Sequence, residues 1–425
     1  MIPLCVLAGI FPKQARSAEE VASFRIVEAG HKWQLLHNGN PLYIKGAVAW
    51  RYFGVLKDCG ANSVRTQASK RHLDQASKHG LSAMAGLPVR GERNGMDWSD
   101  ERMISAQRDR ILTTVRELRG HPALMFWAVG NELDWIPPGR PHHPRLWDRL
   151  NDIAVEIKKI DPDHPVLTVV GTGRFELKIQ EIAEHCTAFD LLGINTYGDI
   201  DEVTTLTKKY WPKPYVIAEW GPTGHWQAPR TQWRVSIEQT SSEKAQAIFH
   251  RYTSTIWLNR DQCLGSYVFF WDEKQETTHT WYGMFREGSR TESIDVMEYL
   301  WTGSWPANRA PAVLELHVEG FEGRKQVYLK PGQACRARVA CYDSDYDVLR
   351  FVWDIRPEVE IPADSYAGSQ EKPAKPIPGL IRKGDRPQAE FTAPAQEGPY
   401  RLFVQVSDDH SHAGYANVPF YVKSP

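Results

Sequence analysis

The chain has 425 residues, enough for two or three domains, or for one large α/β barrel with an appendage. Hydrophobic residues make up 42%, which supports a large core. The 51 basic and 52 acidic residues nearly cancel, which argues against a nucleic-acid binder with its clustered positive charge. No apolar stretch approaches the roughly 20 residues of a membrane-spanning helix, and no heptad repeat or basic run suggests a fibre or a membrane surface. Tryptophan stands out at 16 residues. So large a ring needs a core or a flat partner, and apolar sugar faces are one such partner.

Met1 to Phe11 resembles the apolar core of a signal peptide, followed by a small-residue stretch from Ala15 to Ala18. A basic segment ahead of it is missing. The expectation is a signal-like segment over 1–22 and an extracellular or periplasmic protein, with a cytoplasmic location as the alternative. From Phe24 to Gly46 short strands and turns follow. His37-Asn38-Gly39-Asn40 is a hairpin signal.

The pattern then changes to short apolar runs alternating with amphipathic helices. Eight runs read as strands: Tyr43–Trp50, Ala61–Thr66, Leu81–Leu87, Ala123–Gly130, Val166–Val170, Asp190–Asn195, Tyr215–Glu219 and Gly265–Trp271. Their near-continuous apolar composition fits strands covered on both faces. Helices are clearest over Asp100–Arg119, Arg145–Ile160 and Glu243–Leu258. In the first, Ile104, Ile111, Val115 and Leu118 form one stripe and Gly120-His121-Pro122 ends it. Eight such units in about 260 residues match a (β/α)8 TIM barrel. An open doubly wound sheet is the rival, and no GxGxxG or GKS/T loop supports it.

Near Pro306 the grammar changes again. Ser304 to Pro311 reads as a linker, and helical periodicity disappears beyond it. About seven alternating runs, from Val313–Val318 to Ala416–Val422, predict an all-β sandwich. The domains are therefore placed at 23–306 for the barrel and 307–425 for the sandwich. The sandwich is expected to be an accessory or docking unit. Asp343, Asp345 and Asp347 alternate in it, which suits either calcium or a polar turn.

Parallel barrels build their sites at the C-terminal strand ends. The fourth strand ends in Gly130-Asn131-Glu132 and the seventh in Ala218-Glu219-Trp220. Glu132 and Glu219 are 87 residues apart, or three repeats of about 29. That places them across the barrel mouth from each other. Two opposed carboxyls are what glycoside hydrolysis requires: one protonates the leaving oxygen, and the other attacks or activates water. The six cysteines form no CxxC pair, and there is no HExxH or GxSxG motif. No metal and no cofactor is expected. His142-His143, in the loop from Pro137 to Pro144, reads as a solvated loop, with a metal pair or a substrate loop as alternatives.

These residues resemble a known group. His121-Pro122-Ala123-Leu124-Met125-Phe126-Trp127-Ala128-Val129-Gly130-Asn131-Glu132 is similar to the acid/base strand of the retaining (β/α)8 glycoside hydrolases. That clan includes family 2-like β-galactosidases and β-glucuronidases, together with β-mannanases and cellulases. Lys213 to Gly221 is similar to its nucleophile strand, and Gly60-Ala61-Asn62-Ser63-Val64-Arg65-Thr66 to its second strand. The resemblance spans about residues 40–305. It implies Glu132 as general acid/base and Glu219 as nucleophile. It further implies Asn131 bonding a sugar 2-hydroxyl, Arg65 holding Glu219 ionised, and Tyr197 hydrogen-bonding Glu219. Trp271 would be a sugar platform, with Trp50 and Trp220 as further candidates. The segment Ala340 to Asp354 resembles immunoglobulin-like polycystic-kidney-disease repeats and fibronectin-like repeats.

Two departures matter. About 40 residues of this sequence precede the first barrel strand, where full β-galactosidase-like enzymes carry a jelly roll and a sandwich. Thr66-Gln67-Ala68-Ser69 also lacks the substrate-touching His found in many relatives. The implied function is retaining hydrolysis of β-linked oligo- or polysaccharides. The alternatives are a transglycosylase of the same fold or a non-catalytic carbohydrate-binding barrel. The partner is a carbohydrate; sugar identity and oligomeric state are not encoded in any motif.

Overall fold

The computed structural model describes residues 23–136, 140–321, 324, 326–359 and 371–424. The signal-like segment lies outside the described residues. Eight parallel strands close into a barrel: Ile44–Val48, Ser63–Gln67, Ser82–Leu87, Leu124–Asn131, Val166–Val170, Leu191–Asn195, Tyr215–Trp220 and Cys263–Val268. The eighth pairs with the first through Gly265 to Val268 against Ile44 to Ala47, which completes the cylinder. Each strand falls within a residue or two of its sequence expectation, except that the eighth ends at Val268, three residues early.

Two cores follow from strand alternation. Met84, Phe126, Ala128, Leu167, Val216, Ala218 and Tyr267 fill the lumen. Val64, Val129, Ile194, Ile217 and Val268 face outward against the helices. The helices supply the matching stripe. Glu101–Leu118 buries Ile104, Ile111, Leu112, Val115 and Leu118, and the Asp100 side chain caps it by accepting from the Arg102 and Met103 amides. Helix Ser241–Arg251 starts with a full capping box between Thr240 and Glu243. The single helix expected as far as Leu258 instead widens into a π-turn over Tyr252–Ile256. There the Thr253 and Ser254 hydroxyls bond back to the Phe249 and His250 carbonyls.

The N-terminal strands Phe24–Ala29, Lys32–His37 and Asn40–Leu42 form a small antiparallel sheet. Its Lys32–His37/Asn40–Leu42 turn is the expected one. Asn38 and Gly39 both take positive φ, at 49° and 80°. Phe24 and Leu35 pack with Ile44, Leu264 and Tyr267, and the Trp33 amide donates to the Asp261 carbonyl ahead of the eighth strand. The sheet therefore plugs the end of the barrel opposite the strand C-termini.

Beyond helix Glu292–Thr302 and the linker, two four-stranded sheets face each other. Their strands enclose a core that includes Val313, Val339, Trp353, Phe391, Leu402, Val404, Val418 and Phe420. One pair is long: Gly398–Ser407 and Ala413–Val422 stay in register over ten residues. Cys335 and Cys341 lie on one strand, Ala334–Tyr342, as free, half-buried thiols.

The sandwich is bound to the barrel by a buried polar network. Glu238 accepts from Lys244 Nζ at 2.5 Å, Thr278 Oγ1 at 2.6 Å and Asn417 Nδ2 at 2.7 Å. Arg401 reaches from the sandwich to the Ser236 carbonyl at 2.9 Å and pairs with Glu358 at 2.9 Å. Burial pushes Glu238 up, but Lys244 and Arg401 outweigh it and hold the carboxyl below its usual range. The Val313 and Tyr415 amides donate to the Ser242 and Ser241 hydroxyls of the barrel helix. Breaking a buried ion pair from one side leaves an uncompensated charge, at a cost of about 3–5 kcal/mol. Arg401→Ala should therefore lower stability by about that amount in urea titration, with barrel and sandwich unfolding in one transition. An unchanged midpoint would show that the network is not structural.

Candidate active site

The open, C-terminal end of the barrel holds a cavity of about 410 Å³. Its lining includes Trp50, Arg65, Asn131, Glu132, Tyr197 and Glu219, six of the eight candidate site residues.

Glu132 follows directly on the fourth strand. Its backbone is left-handed, with φ of 48°, and Gly130 two residues earlier takes φ of 78°. A β-carbon at Gly130 would lie 2.4 Å from Leu133 Cδ1, and its positive φ strains any side chain, so the turn favours glycine there. The Glu132 amide donates to the Val169 carbonyl at 2.8 Å, which anchors the turn to the fifth strand. Gly171 leaves room for the carboxyl, because a β-carbon there would stand 3.0 Å from Glu132 Oε1.

Glu219 lies across the cavity on the seventh strand. Arg65 Nη1 donates to Glu219 Oε1 at 2.9 Å, and Tyr197 donates its hydroxyl to Glu219 Oε2 at 3.2 Å. The same guanidinium donates to the Ala218 carbonyl at 2.9 Å and to Asn195 Oδ1 at 3.1 Å. Its second nitrogen reaches Asn131 Oδ1 at 2.6 Å. Asn195 Nδ2 completes the network, donating to Asn131 Oδ1 at 3.0 Å and Glu132 Oε1 at 2.8 Å. The Asn131 oxygen is thus occupied twice, and its amide nitrogen is left to donate into the cavity.

Burial pushes the Glu219 carboxyl up to about 7. Arg65 opposes this, the charge on Glu132 adds to it, and Tyr197 and Lys274 oppose it further. Arg65 thus pulls the Glu219 carboxyl down, in the direction the resemblance implies, but desolvation outweighs the guanidinium and the net shift is upward. Burial and the Glu219 charge raise Tyr197 far above its ordinary value, so its hydroxyl stays protonated and donates.

Two of the three tryptophan candidates move elsewhere. Trp50 is half-exposed at the cavity rim, edge-on to Phe270. Trp220 and Trp271 are fully buried outside the barrel and do not line the cavity. Irregular strand ends explain both. Val216 and Ala218 already face the lumen, so strict alternation would turn Trp220 inward; a register shift between Ile217 and Glu219 instead brings Glu219 to the cavity and leaves Trp220 against the helices, packed on Tyr252. The eighth strand stops at Val268, and past it Phe269 and Phe270 both face the barrel interior while Trp271 packs outward onto Phe285 and Trp301. The aromatic surface of the cavity comes from Trp50, Tyr197, Trp226 and Phe269 instead.

Sequence reasoning did not assign roles to Asn195, Trp226, Phe269, Lys274 or Glu276. Asn195 had a readable signal, since it is the polar residue ending an apolar strand. The others follow the seventh and eighth strands without periodicity. Lys274 pairs with Glu276 at 3.2 Å, and His225 approaches the same carboxylate at 3.3 Å.

Other constellations are used structurally. His142 contacts Glu181 at 3.1 Å, and the His143 amide donates to Glu92. A cavity of about 600 Å³ lies beside this loop, lined by Asp134, Trp135, Arg174 and Glu181, and Lys178 pairs with Asp134 within it. Asp345 accepts from the Arg309 amide of the linker, so it does not join Asp343 and Asp347. Those two converge with Asp408 instead, with carboxylate oxygens within 4.8 Å.

A parallel eightfold barrel with two carboxyls facing across its mouth is the architecture of a glycoside hydrolase barrel. Residues 37–266, more than half of the chain, match the family model for glycosyl hydrolases family 2, TIM barrel domain. The chain belongs to that family. Its fold is similar to that of Bacteroides uniformis β-glucuronidase 3, at 15% identity and a TM-score of 0.50 over 95% of this chain and 52% of that one. It is likewise similar to Parabacteroides merdae β-glucuronidase, at 13% identity and a TM-score of 0.50 over 95% and 51%. The chain spans about half the length of these solved structures.

Glu219 should titrate near 7. Because its pKa is raised, the carboxyl is protonated below that pH and ionised above it. Arg65→Met removes the main opposing charge and should move the midpoint up by about one unit or more. Carboxyl-labelled glutamate followed by carbon NMR, with Glu219→Gln to assign the signal, gives both values. A midpoint that stays put in Arg65→Met would disconnect the two residues.

Proposed function

We propose that this chain is a retaining β-glycosidase acting on β-linked carbohydrate, with Glu132 as acid/base and Glu219 as nucleophile. The observation that carries the reading is one cavity with both carboxyls on its wall, each held by a hydrogen-bond network through Arg65 and Asn195. A non-catalytic sugar binder has no need to hold two acids in such a network.

The residues divide the work as follows. A sugar ring rests in the cavity, with Trp50 offering a flat apolar surface at the rim. The Asn131 amide donates to its 2-hydroxyl. Glu132 gives a proton to the glycosidic oxygen as the C1–O bond breaks. A Glu219 oxygen bonds to C1, forming a glycosyl ester, and the alcohol leaves. Arg65 and Tyr197 hold that carboxylate at its attacking angle and stabilise its charge. Water then enters, Glu132 takes its proton, and the new oxygen bonds to C1 as the ester breaks. Two inversions restore the starting configuration.

The roles separate chemically. With an activated aryl β-glycoside, Glu132→Ala should still form the ester, because an excellent leaving group needs no acid, and should then stall. Azide needs no base, so it should restore turnover and give the retained glycosyl azide. Glu219→Ala should be inactive until azide enters the vacated space from the opposite face, giving the inverted product. Proton NMR of the two azides reads the outcome. The same anomer from both variants, or full activity in either, would reverse the assignment.

A further inference from the structure

We propose that the cavity takes a neutral sugar ring, and that the Lys274–Glu276 pair sets this preference by withholding the cation a sugar carboxylate would need. The inference rests on the glycosidase reading above and adds the substrate class.

Three cations line the cavity: Arg65, Arg93 and Lys274. Each is engaged by the protein itself. Arg65 spends its donors on Glu219, Ala218, Asn195 and Asn131. Arg93 donates to the Asn131 carbonyl at 3.1 Å and lies over the Trp135 ring. Lys274 sits 3.2 Å from Glu276, with its ammonium over Phe269.

Glu276 is the decisive group. Its side chain is only 4% exposed, and it lines the same cavity as Glu132 and Glu219. Burial pushes it up, but the His225 hydrogen bond and Lys274 outweigh that and hold the carboxyl below its usual range. A carboxylate on the incoming sugar would meet an ammonium already neutralised by a buried neighbour. It would add a further negative charge to a wall that holds three acidic side chains.

A hydroxyl meets no such opposition. An ammonium carries three donors, and those not used on Glu276 can serve a sugar oxygen. One uncharged group is also open: among the described residues the Asn131 amide nitrogen has no protein acceptor, and Asn131 lines the cavity. A donor left alone at a cavity wall gains a partner when a sugar hydroxyl arrives. The inventory therefore matches a ring of hydroxyls.

The test compares kcat/KM for 4-nitrophenyl β-D-glucoside, β-D-galactoside, β-D-mannoside and β-D-glucuronide. At least one neutral glycoside should exceed the glucuronide by roughly a hundredfold. Glu276→Gln releases the ammonium and should shift the ratio toward the glucuronide by about tenfold. Adding Lys274→Met to that variant should cancel the gain. A wild-type protein that prefers the glucuronide overturns the proposal, as does a folded Glu276→Gln variant with an unchanged ratio. Thermal shifts with free glucose, galactose, mannose and glucuronate give a readout without turnover. A neutral sugar that raises Tm while no glycoside is cleaved keeps this inference and sinks the glycosidase reading. Stabilisation by glucuronate alone sinks the inference, whatever the turnover.

Discussion

The site is organised around one guanidinium. Arg65 rises from the second strand and touches groups on the fourth, sixth and seventh. A closed barrel makes this possible, because its strand ends form a ring that one long side chain can span. The planar fork then fixes the relative placement of Asn131, Asn195 and Glu219. Through Asn195 the constraint extends to Glu132. A lysine could supply the charge but not the several directed bonds. The network resists two costs at once: it keeps the acids from drifting apart, and it partly offsets the burial that raises Glu219.

A second constraint comes from the other side of the molecule. Glu238, with no exposed side-chain surface, joins Lys244 and Thr278 of the barrel to Asn417 of the sandwich. Thr278 exchanges backbone hydrogen bonds with Glu276 at 3.0 and 2.6 Å. Ser236, whose carbonyl Arg401 holds, donates its hydroxyl to the His225 carbonyl. Both long loops that shape the cavity are thereby tied to strands of the C-terminal sandwich. Loops without secondary structure are usually mobile. Here the sandwich supplies a rigid backing for His225, Trp226, Lys274 and Glu276.

The barrel was legible because its strands are covered on both faces and read as short apolar runs between amphipathic helices. The two glutamates were legible because a charge placed directly after such a run has to sit at a strand end. Arg65 and Tyr197 followed from the resemblance, and both reach Glu219. The tryptophans were misjudged where adjacency was taken for access. Trp220 and Trp271 neighbour inward-facing residues in sequence, but a bulge in the seventh strand and the end of the eighth turn both rings outward. The loop residues carried no signal of this kind. Lys274 and Glu276 gain their meaning from a pairing two residues apart on an irregular segment, and no periodicity encodes it. The π-turn at Tyr252–Ile256 was invisible for a related reason: back-bonding hydroxyls look like ordinary helix surface in a sequence.

Glu132 shows how local strain and function are joined. A non-glycine residue at φ of 48° sits in a sparsely populated region, and such a conformation survives only where its surroundings overdetermine it. Those surroundings are visible here. Gly130 permits the tight turn, the Val169 carbonyl fixes the Glu132 amide, Gly171 clears space for the carboxyl, and Asn195 holds one of its oxygens. Phe126 and Ala128 face the lumen, so alternation alone would carry one of Asn131 and Glu132 inward and the other outward. A register shift between Ala128 and Asn131, with Gly130 and then Glu132 at positive φ, breaks that alternation, and the two residues, adjacent in sequence, both reach the cavity. The irregular strand end is thus the local condition for having a hydrogen-bond donor and an acid side by side on a single strand.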